Sequence, residues 1–196
     1  MKKICALLLV ITVVAVCFAA CGQNGTTDGN VQDSVGSEQS TGAPVHNPPF
    51  PDFSSKTIDG KDVDQNVFKG NKLTVVNIWG TFCGPCINEM PDLEKLSRDY
   101  SDKGVSVIGI VADVYDYIKS ENNADKIKKA EDIIADTGVT YMNILPSASL
   151  NEARLDYIST FPTTYFINEK GEIIGEYIGS RTYRDWSTII DRMISD

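Results

Sequence analysis

The chain has 196 residues, enough for one domain with accessory segments. Its formal net charge is −9 at pH 7, which argues against electrostatic binding to nucleic acid or to an anionic membrane surface. Its five cysteines do not form the widely spaced set of a domain stapled by disulfides.

Taken in chain order, Met1-Lys2-Lys3 is a short basic start, and Ile4 to Ala20 runs apolar except for Thr12. Small residues then precede Cys21. That order reads as a signal peptide over residues 1–20; as a permanent span the run is short of the ~20 residues required. Phe18-Ala19-Ala20-Cys21 resembles the bacterial lipobox, with Phe18 standing where Leu is usual. The resemblance implies cleavage before Cys21 and a lipid on that cysteine. Cleavage after Ala19, with Cys17 as the other small residue, is the alternative and would give a plainly secreted chain. Loss of residues 1–20 removes Lys2 and Lys3 and no carboxylate, so lipid, not charge, would hold the mature chain to a membrane.

Residues 21–47 contain no aromatic side chain and are rich in Gly, Ser, Thr, Gln and Asn. They read as a flexible tether with a mean reach of ~30 Å. His46, the only histidine of the chain, lies here. Pro48, Pro49 and Pro51 stiffen the start of a folded domain over residues 48–196.

Within that domain, Phe53–Lys56 and Lys61–Val63 flank the turn signal Ile58-Asp59-Gly60 and predict an N-terminal hairpin. Leu73–Trp79 and Val105–Val111 are apolar runs with β-branched residues, the pattern of buried strands. Pro85–Tyr100 has helical spacing in Ile87, Met90, Leu93, Leu96 and Tyr100. A second helix is expected over Ala124–Asp136, a strand over Tyr141–Leu145 and a short helix over Leu150–Tyr157. Thr163–Ile167 and Glu172–Ile178 are further strands, joined at the tight turn Asn168-Glu169-Lys170-Gly171. Thr182–Ile194 closes the chain as a helix with Trp186, Ile189, Ile190 and Met193 on one side. Strands alternating with helices, then a strand hairpin and a helix, predict an α/β fold with its sheet covered on both faces.

The candidate chemistry sits at Cys83-Gly84-Pro85-Cys86. Cys5 and Cys17 leave with the signal and Cys21 is the lipid site, so only this close pair remains in the domain. A pair that closes almost no loop is better suited to chemistry than to stapling. Cys83 is placed where a strand delivers the chain to a helix N-terminus, whose free N–H groups and dipole favour thiolate over thiol. Cys86, one turn later, can reach back to it, and Pro85 fits the first turn, where its missing N–H costs nothing. Zinc requires about four ligands, and the domain offers two cysteines and no histidine. Haem attachment requires His after the second Cys, where Ile87 stands, and copper delivery by two cysteines and a histidine fails for the same lack. A purely structural disulfide is the remaining alternative.

The stretch Val75-Val76-Asn77-Ile78-Trp79-Gly80-Thr81-Phe82-Cys83-Gly84-Pro85-Cys86, with Glu89-Met90-Pro91 after it, resembles the active-site region of the TlpA/ResA-like thioredoxins. Phe161-Pro162-Thr163-Thr164-Tyr165-Phe166-Ile167-Asn168 followed by Gly171 is similar to their second signature. The resemblance implies a thioredoxin-like fold, a central mixed sheet with helices on both faces plus an N-terminal β-hairpin extension. It implies a membrane-tethered, extracytoplasmic thiol–disulfide oxidoreductase acting as a disulfide reductase. Its only redox group would be the Cys83–Cys86 disulfide, with no separate cofactor and no metal. A membrane thiol–disulfide electron carrier would be the donor. Exported disulfide-containing proteins would be the substrates: apocytochrome c, a methionine sulfoxide reductase or a sporulation protein in different relatives. No nucleic acid is expected, and the chain is read as a monomer.

Residue by residue, Cys83 is the expected nucleophile and Cys86 the resolving thiol. Asn77 stands six residues before Cys83, where cytoplasmic thioredoxins carry a buried Asp, and it cannot take up a proton. Glu89 falls where the family has an acidic residue beside the site, and with a raised pKa it could exchange a proton with Cys86. An ordinary solvated glutamate is the competing view. X-Pro bonds are cis in only about 5–6% of folded cases, so residue chemistry alone favours trans at Pro162. The resemblance implies cis, with the backbone of Phe161 free to pair with an extended substrate. Trp79, Phe82, Gly84, Pro85, Phe161 and Pro162 form the expected substrate-facing set, Trp79 mainly as packing beneath it and Phe82 as an apolar lip. Three other functions stay open. A peroxiredoxin-like peroxidase lacks its Pro-x-x-x-Thr-x-x-Cys pattern here, a non-catalytic binding module is opposed by the intact cysteines, and for a solute-binding lipoprotein the tether is neutral.

Overall fold

A computed structural model describes residues 48–195. The expected signal peptide, the lipobox with Cys21, and the tether with His46 lie outside the described residues.

The domain opens with β1 (Ser54–Lys56) and β2 (Asp62–Asp64), antiparallel with Ser55 opposite Val63. Gly60 turns the hairpin at φ +86°, a conformation that costs a side-chain-bearing residue energy. All seven residues of β3 (Leu73–Trp79) are buried, as befits a central strand rich in β-branched side chains. There follow α1 (Gly84–Tyr100), β4 (Val105–Val111), and the short pair β5 (Tyr115–Asp116) and β6 (Glu121–Asn122). Next come α2 (Ala124–Thr137), β7 (Met142–Ile144), α3 (Ala148–Ala153), β8 (Thr163–Asn168), β9 (Ile173–Ile178) and α4 (Tyr183–Ser195).

The five-stranded sheet has the order β7-β4-β3-β8-β9. β3, β4 and β7 are parallel, whereas β8 and β9 run antiparallel to their neighbours. Alternation along β3 divides the core. Val75 and Trp79 face a cluster with Met90, Leu93 and Leu96 of α1, Phe166 of β8, and Trp186 and Ile190 of α4. Val76 and Ile78 face Phe50, Phe53 and Phe68 with Leu150 of α3. The second face is thus covered by aromatic residues of the N-terminal extension and one short helix. Pro48 and Phe50 anchor that extension on the β8–β9 turn, through Ile173 N–H to Pro48 O (2.8 Å) and Phe50 N–H to Gly171 O (2.7 Å).

Two departures from expectation stand out. The β5–β6 hairpin was not anticipated. The short helix expected over Leu150–Tyr157 is instead α3, capped by Ser147, and a separate 3₁₀ turn over Leu155–Tyr157. Arg154 breaks them with φ −148° and stacks its guanidinium over Tyr165, 4.8 Å from the ring centre. No helix among the described residues is long and apolar enough to cross a membrane.

Candidate active site

β3 ends at Trp79, and the chain turns into α1 with Cys83 N–H donating to Gly80 O at 3.0 Å. Cys83 is the N-cap of α1 and its sulfur accepts from Cys86 N–H at 3.3 Å. A thiolate at Cys83 would therefore sit against a helix amide, with the positive end of the dipole behind it. Cys83 and Cys86 are joined in a disulfide. Cys83 keeps 6% of its surface exposed and Cys86 none. Cys83 is less open than a free helix start suggests, yet it alone of the two sulfur-bearing residues meets solvent. Gly84 and Pro85 are exposed beside it.

Sequence reasoning missed what holds this loop. The Asp113 carboxylate, just past β4, accepts from Thr81 N–H at 2.8 Å and from the Thr81 hydroxyl at 2.7 Å. The only available signal was topological: Asp113 follows the C-terminal end of the parallel strand next to β3, where α/β sheets assemble their sites.

The loop before β8 forms the opposite wall. The Phe161–Pro162 peptide bond is cis, as the resemblance implied and residue chemistry alone did not. Among the described residues neither the N–H nor the C=O of Phe161 makes a backbone hydrogen bond. Phe82, 66% exposed, meets Phe161 edge to face with ring centres 5.8 Å apart. Together they make an apolar rim beside Cys83. Trp79 has the packing role expected of it and drops out of the substrate-facing set. It is fully buried, with its indole N–H donating to Asn143 Oδ1 at 2.9 Å, so it packs beneath the site and cannot touch a partner. Pro162 is also buried, which leaves contact on that side to Phe161.

Behind the cysteines, Glu89 is 3% exposed; it is not a solvated helix residue. Asn77 Nδ2 donates to its Oε1 at 3.0 Å, and Arg181 N–H and the Trp186 indole donate to its Oε2 at 3.0 and 3.4 Å. Burial pushes the Glu89 pKa above the ordinary carboxylate value. The Arg181 amide, Asn77, Trp186 and the Arg181 charge pull the other way without cancelling it. Asn77, opposite Thr164 in the β3–β8 register, also donates to Thr164 Oγ1 at 3.0 Å. Its Oδ1 is buried and unpartnered. The fold thus gathers Cys83, Cys86, Glu89, Phe82, Phe161 and Pro162 at one end of the sheet, with a buried carboxylate one helical turn beyond Cys86.

The sequence profile described as Redoxin matches residues 45–189. The chain is 34% identical over 143 residues to "Thioredoxin-like protein YneN" of Bacillus subtilis, covering 72% of this chain and 76% of that protein. It is 30% identical over 130 residues to "Thiol-disulfide oxidoreductase ResA" of Halalkalibacterium halodurans, covering 66% of each. In structure it is similar to a thiol:disulfide interchange protein of Chlorobium tepidum TLS, with a TM-score of 0.64, 25% identity, and coverage of 78% of this chain and 99% of that one. With its cysteine pair at the start of α1, the chain belongs to the Redoxin family and, within it, to the TlpA/ResA-like thiol–disulfide oxidoreductases.

Proposed function

We propose that this oxidoreductase reduces disulfides in exported proteins, with Cys83 as nucleophile, Cys86 as resolving thiol and Glu89 as the proton acceptor for Cys86. The observation that carries the reading is the pair of unequal environments at the start of α1: Cys83 at the rim, Cys86 sealed one turn from a buried carboxylate. The Cys83 thiolate attacks a substrate disulfide, forming a mixed disulfide and releasing one substrate sulfur as thiolate, which takes a proton from solvent. Cys86 passes its proton to Glu89 and attacks Cys83 Sγ. The second substrate thiol leaves, and the Cys83–Cys86 disulfide re-forms. A dithiol of a membrane thiol–disulfide carrier then reduces the pair. Phe161 pairs its unengaged backbone with the extended substrate, while Phe82, Gly84 and Pro85 form the contact rim.

The direction of electron flow follows from what surrounds Cys83. Strong oxidants stabilise their thiolate further, often with a charged residue between the cysteines; Gly84-Pro85 supplies none. The expected reduction potential lies nearer thioredoxin's ~ −270 mV than the ~ −120 mV of a dedicated oxidase. Equilibration with dithiothreitol or glutathione buffers measures it, and insulin reduction tests activity. A potential at the oxidase end would mean that the protein introduces disulfides.

We further propose residues 1–20 as a lipoprotein signal, 21–47 as the tether and 48–196 as the working domain, placing the enzyme outside the cytoplasm on a lipid anchor. The Phe18-Ala19-Ala20-Cys21 sequence supports this. Mature protein is expected to partition into detergent and to carry diacylglycerol on Cys21. Mass spectrometry showing an unmodified N-terminus at Ala20 or Cys21 would make it a secreted protein instead.

A further inference from the structure

The turn between β9 and α4 touches both halves of the site. Gly179 N–H donates to Pro162 O at 2.8 Å, on the substrate side. Two residues on, Arg181 N–H donates to Glu89 Oε2, on the proton side. The Arg181 side chain closes this turn on itself: Nη1 donates to Gly179 O at 2.9 Å and to Ile178 O at 3.3 Å. The guanidinium lies 4.9 Å from the Tyr177 ring centre and 5.0 Å from that of Trp186. These two rings meet edge to face. Trp186 is itself the second donor to Oε2. One half-buried cation therefore fixes both groups that hold the same carboxylate oxygen, although its guanidinium is bonded to other atoms.

We infer that Arg181 is a positioning residue for Glu89, stapling the β9–α4 turn so that its own amide and the Trp186 indole stay aimed at Oε2. The catalytic consequence rests on the proton-transfer role proposed for Glu89; the positional one does not. Cation–π stacking and charge-assisted bonds from Nη1 to two carbonyls hold the guanidinium in place, and its planar face stacks on aromatic rings in a way that a lysine ammonium does not. The other titratable or charged groups facing Glu89 are Cys86 on α1 and the buried Tyr141 hydroxyl ahead of β7, whose own pKa is raised first by burial and then by the charges of Glu89 and Glu94. Asp92, one turn further along α1, is engaged by Tyr183 N–H at 2.9 Å. Among these charged groups, Arg181 is the positive one.

Loss of the staple loosens the aim of two donors and removes a nearby positive charge from an ionised carboxylate, so the protonated form must gain. The test follows the Glu89 carboxyl carbon by 13C NMR in reduced, glutamate-labelled protein, with the resonance assigned by its loss in Glu89→Gln. The titration midpoint is expected to move upward in Arg181→Ala. In Arg181→Lys, which keeps the charge but not the planar stacking face, it should lie between Arg181→Ala and the wild type. Trp186→Phe, which deletes one donor and keeps the ring packing, should also move it upward. The acid limb of the rate of mixed-disulfide resolution should follow the same order. An unchanged midpoint in Arg181→Ala, even with a lowered Tm, would reduce Arg181 to a structural role and overturn the inference. Should Arg181→Ala fail to fold, an unchanged midpoint in both Arg181→Lys and Trp186→Phe would do so. If Glu89→Gln resolves mixed disulfides with an unaltered pH profile, the proton-transfer reading fails, and the NMR midpoints still decide the positional claim.

Discussion

Cys86→Ala is expected to accumulate stable mixed disulfides with its substrate, while Cys83→Ser forms none and loses turnover altogether. The asymmetry follows from exposure. Cys83 caps α1 at the rim under Phe82, and Cys86 is sealed at zero exposure, so a substrate disulfide can meet only the first sulfur. With Cys86 gone, residues 48–196 hold no other thiol to displace the substrate from Cys83, and the intermediate persists until another thiol releases it. With Cys83 gone, a serine hydroxyl is too weak a nucleophile at neutral pH to open a disulfide. Non-reducing electrophoresis with a disulfide substrate distinguishes the two outcomes. Alkylation of the reduced wild type at neutral pH should label Cys83 first; preferential labelling of Cys86 would reverse the assignment.

Glu89→Gln is expected to slow resolution of the mixed disulfide by on the order of 100-fold, the usual contribution of a positioned acid–base group. It should also flatten the acid limb of its pH dependence. Asn77 cannot substitute, because an amide takes up no proton in this range. The same variant should be more stable than wild type at neutral pH. A carboxyl whose folded-state pKa is raised contributes stability that is fully present below the unfolded pKa. That contribution is lost as pH rises through the folded value, because the fold then holds an ionised group out of water. Gln removes the charge, and a flip of the Asn77 amide would turn its unpartnered Oδ1 toward the new donor. A higher Tm than wild type is expected at pH 7, and the difference should vanish below the carboxylate range. Stopped-flow kinetics and thermal melts across pH check the two halves. A pH–rate profile identical to that of wild type would remove Glu89 from the mechanism.

The regular parts of this architecture were legible because their signals are local. β3 and β4 are mainly apolar runs with β-branched residues whose bounds agree with the structure, and α1 begins one residue before the expected Pro85. The lone cysteine pair, placed between them, located the site. What was hidden depends on residues far apart in the chain. The Glu89 partners Arg181 and Trp186 lie 92 and 97 residues away, and nothing near Glu89 distinguishes a solvated carboxylate from a buried one. Trp79 and Phe82 were separable in the sequence as packing and lip, and their burial bears this out, with Trp79 fully enclosed and Phe82 exposed. The β5–β6 hairpin consists of two-residue strands that carry no periodicity, and its left-handed position is Ser120 at φ +55°, where a glycine would have marked a turn.

The docking of Pro48 and Phe50 on the β8–β9 turn bears on how the domain is carried. Leu73, the first residue of β3, is paired with Asn168 at that turn, whereas Cys83 follows the last residue of the same strand. Seven residues of extended chain separate the two levels, roughly 20 Å. The polypeptide thus enters the domain at the pole opposite the disulfide. The N-terminal entry is the heel of the domain, and the reactive end lies away from it. Phe82 and Phe161 then form the leading edge of a tool whose handle lies at the other end of the sheet.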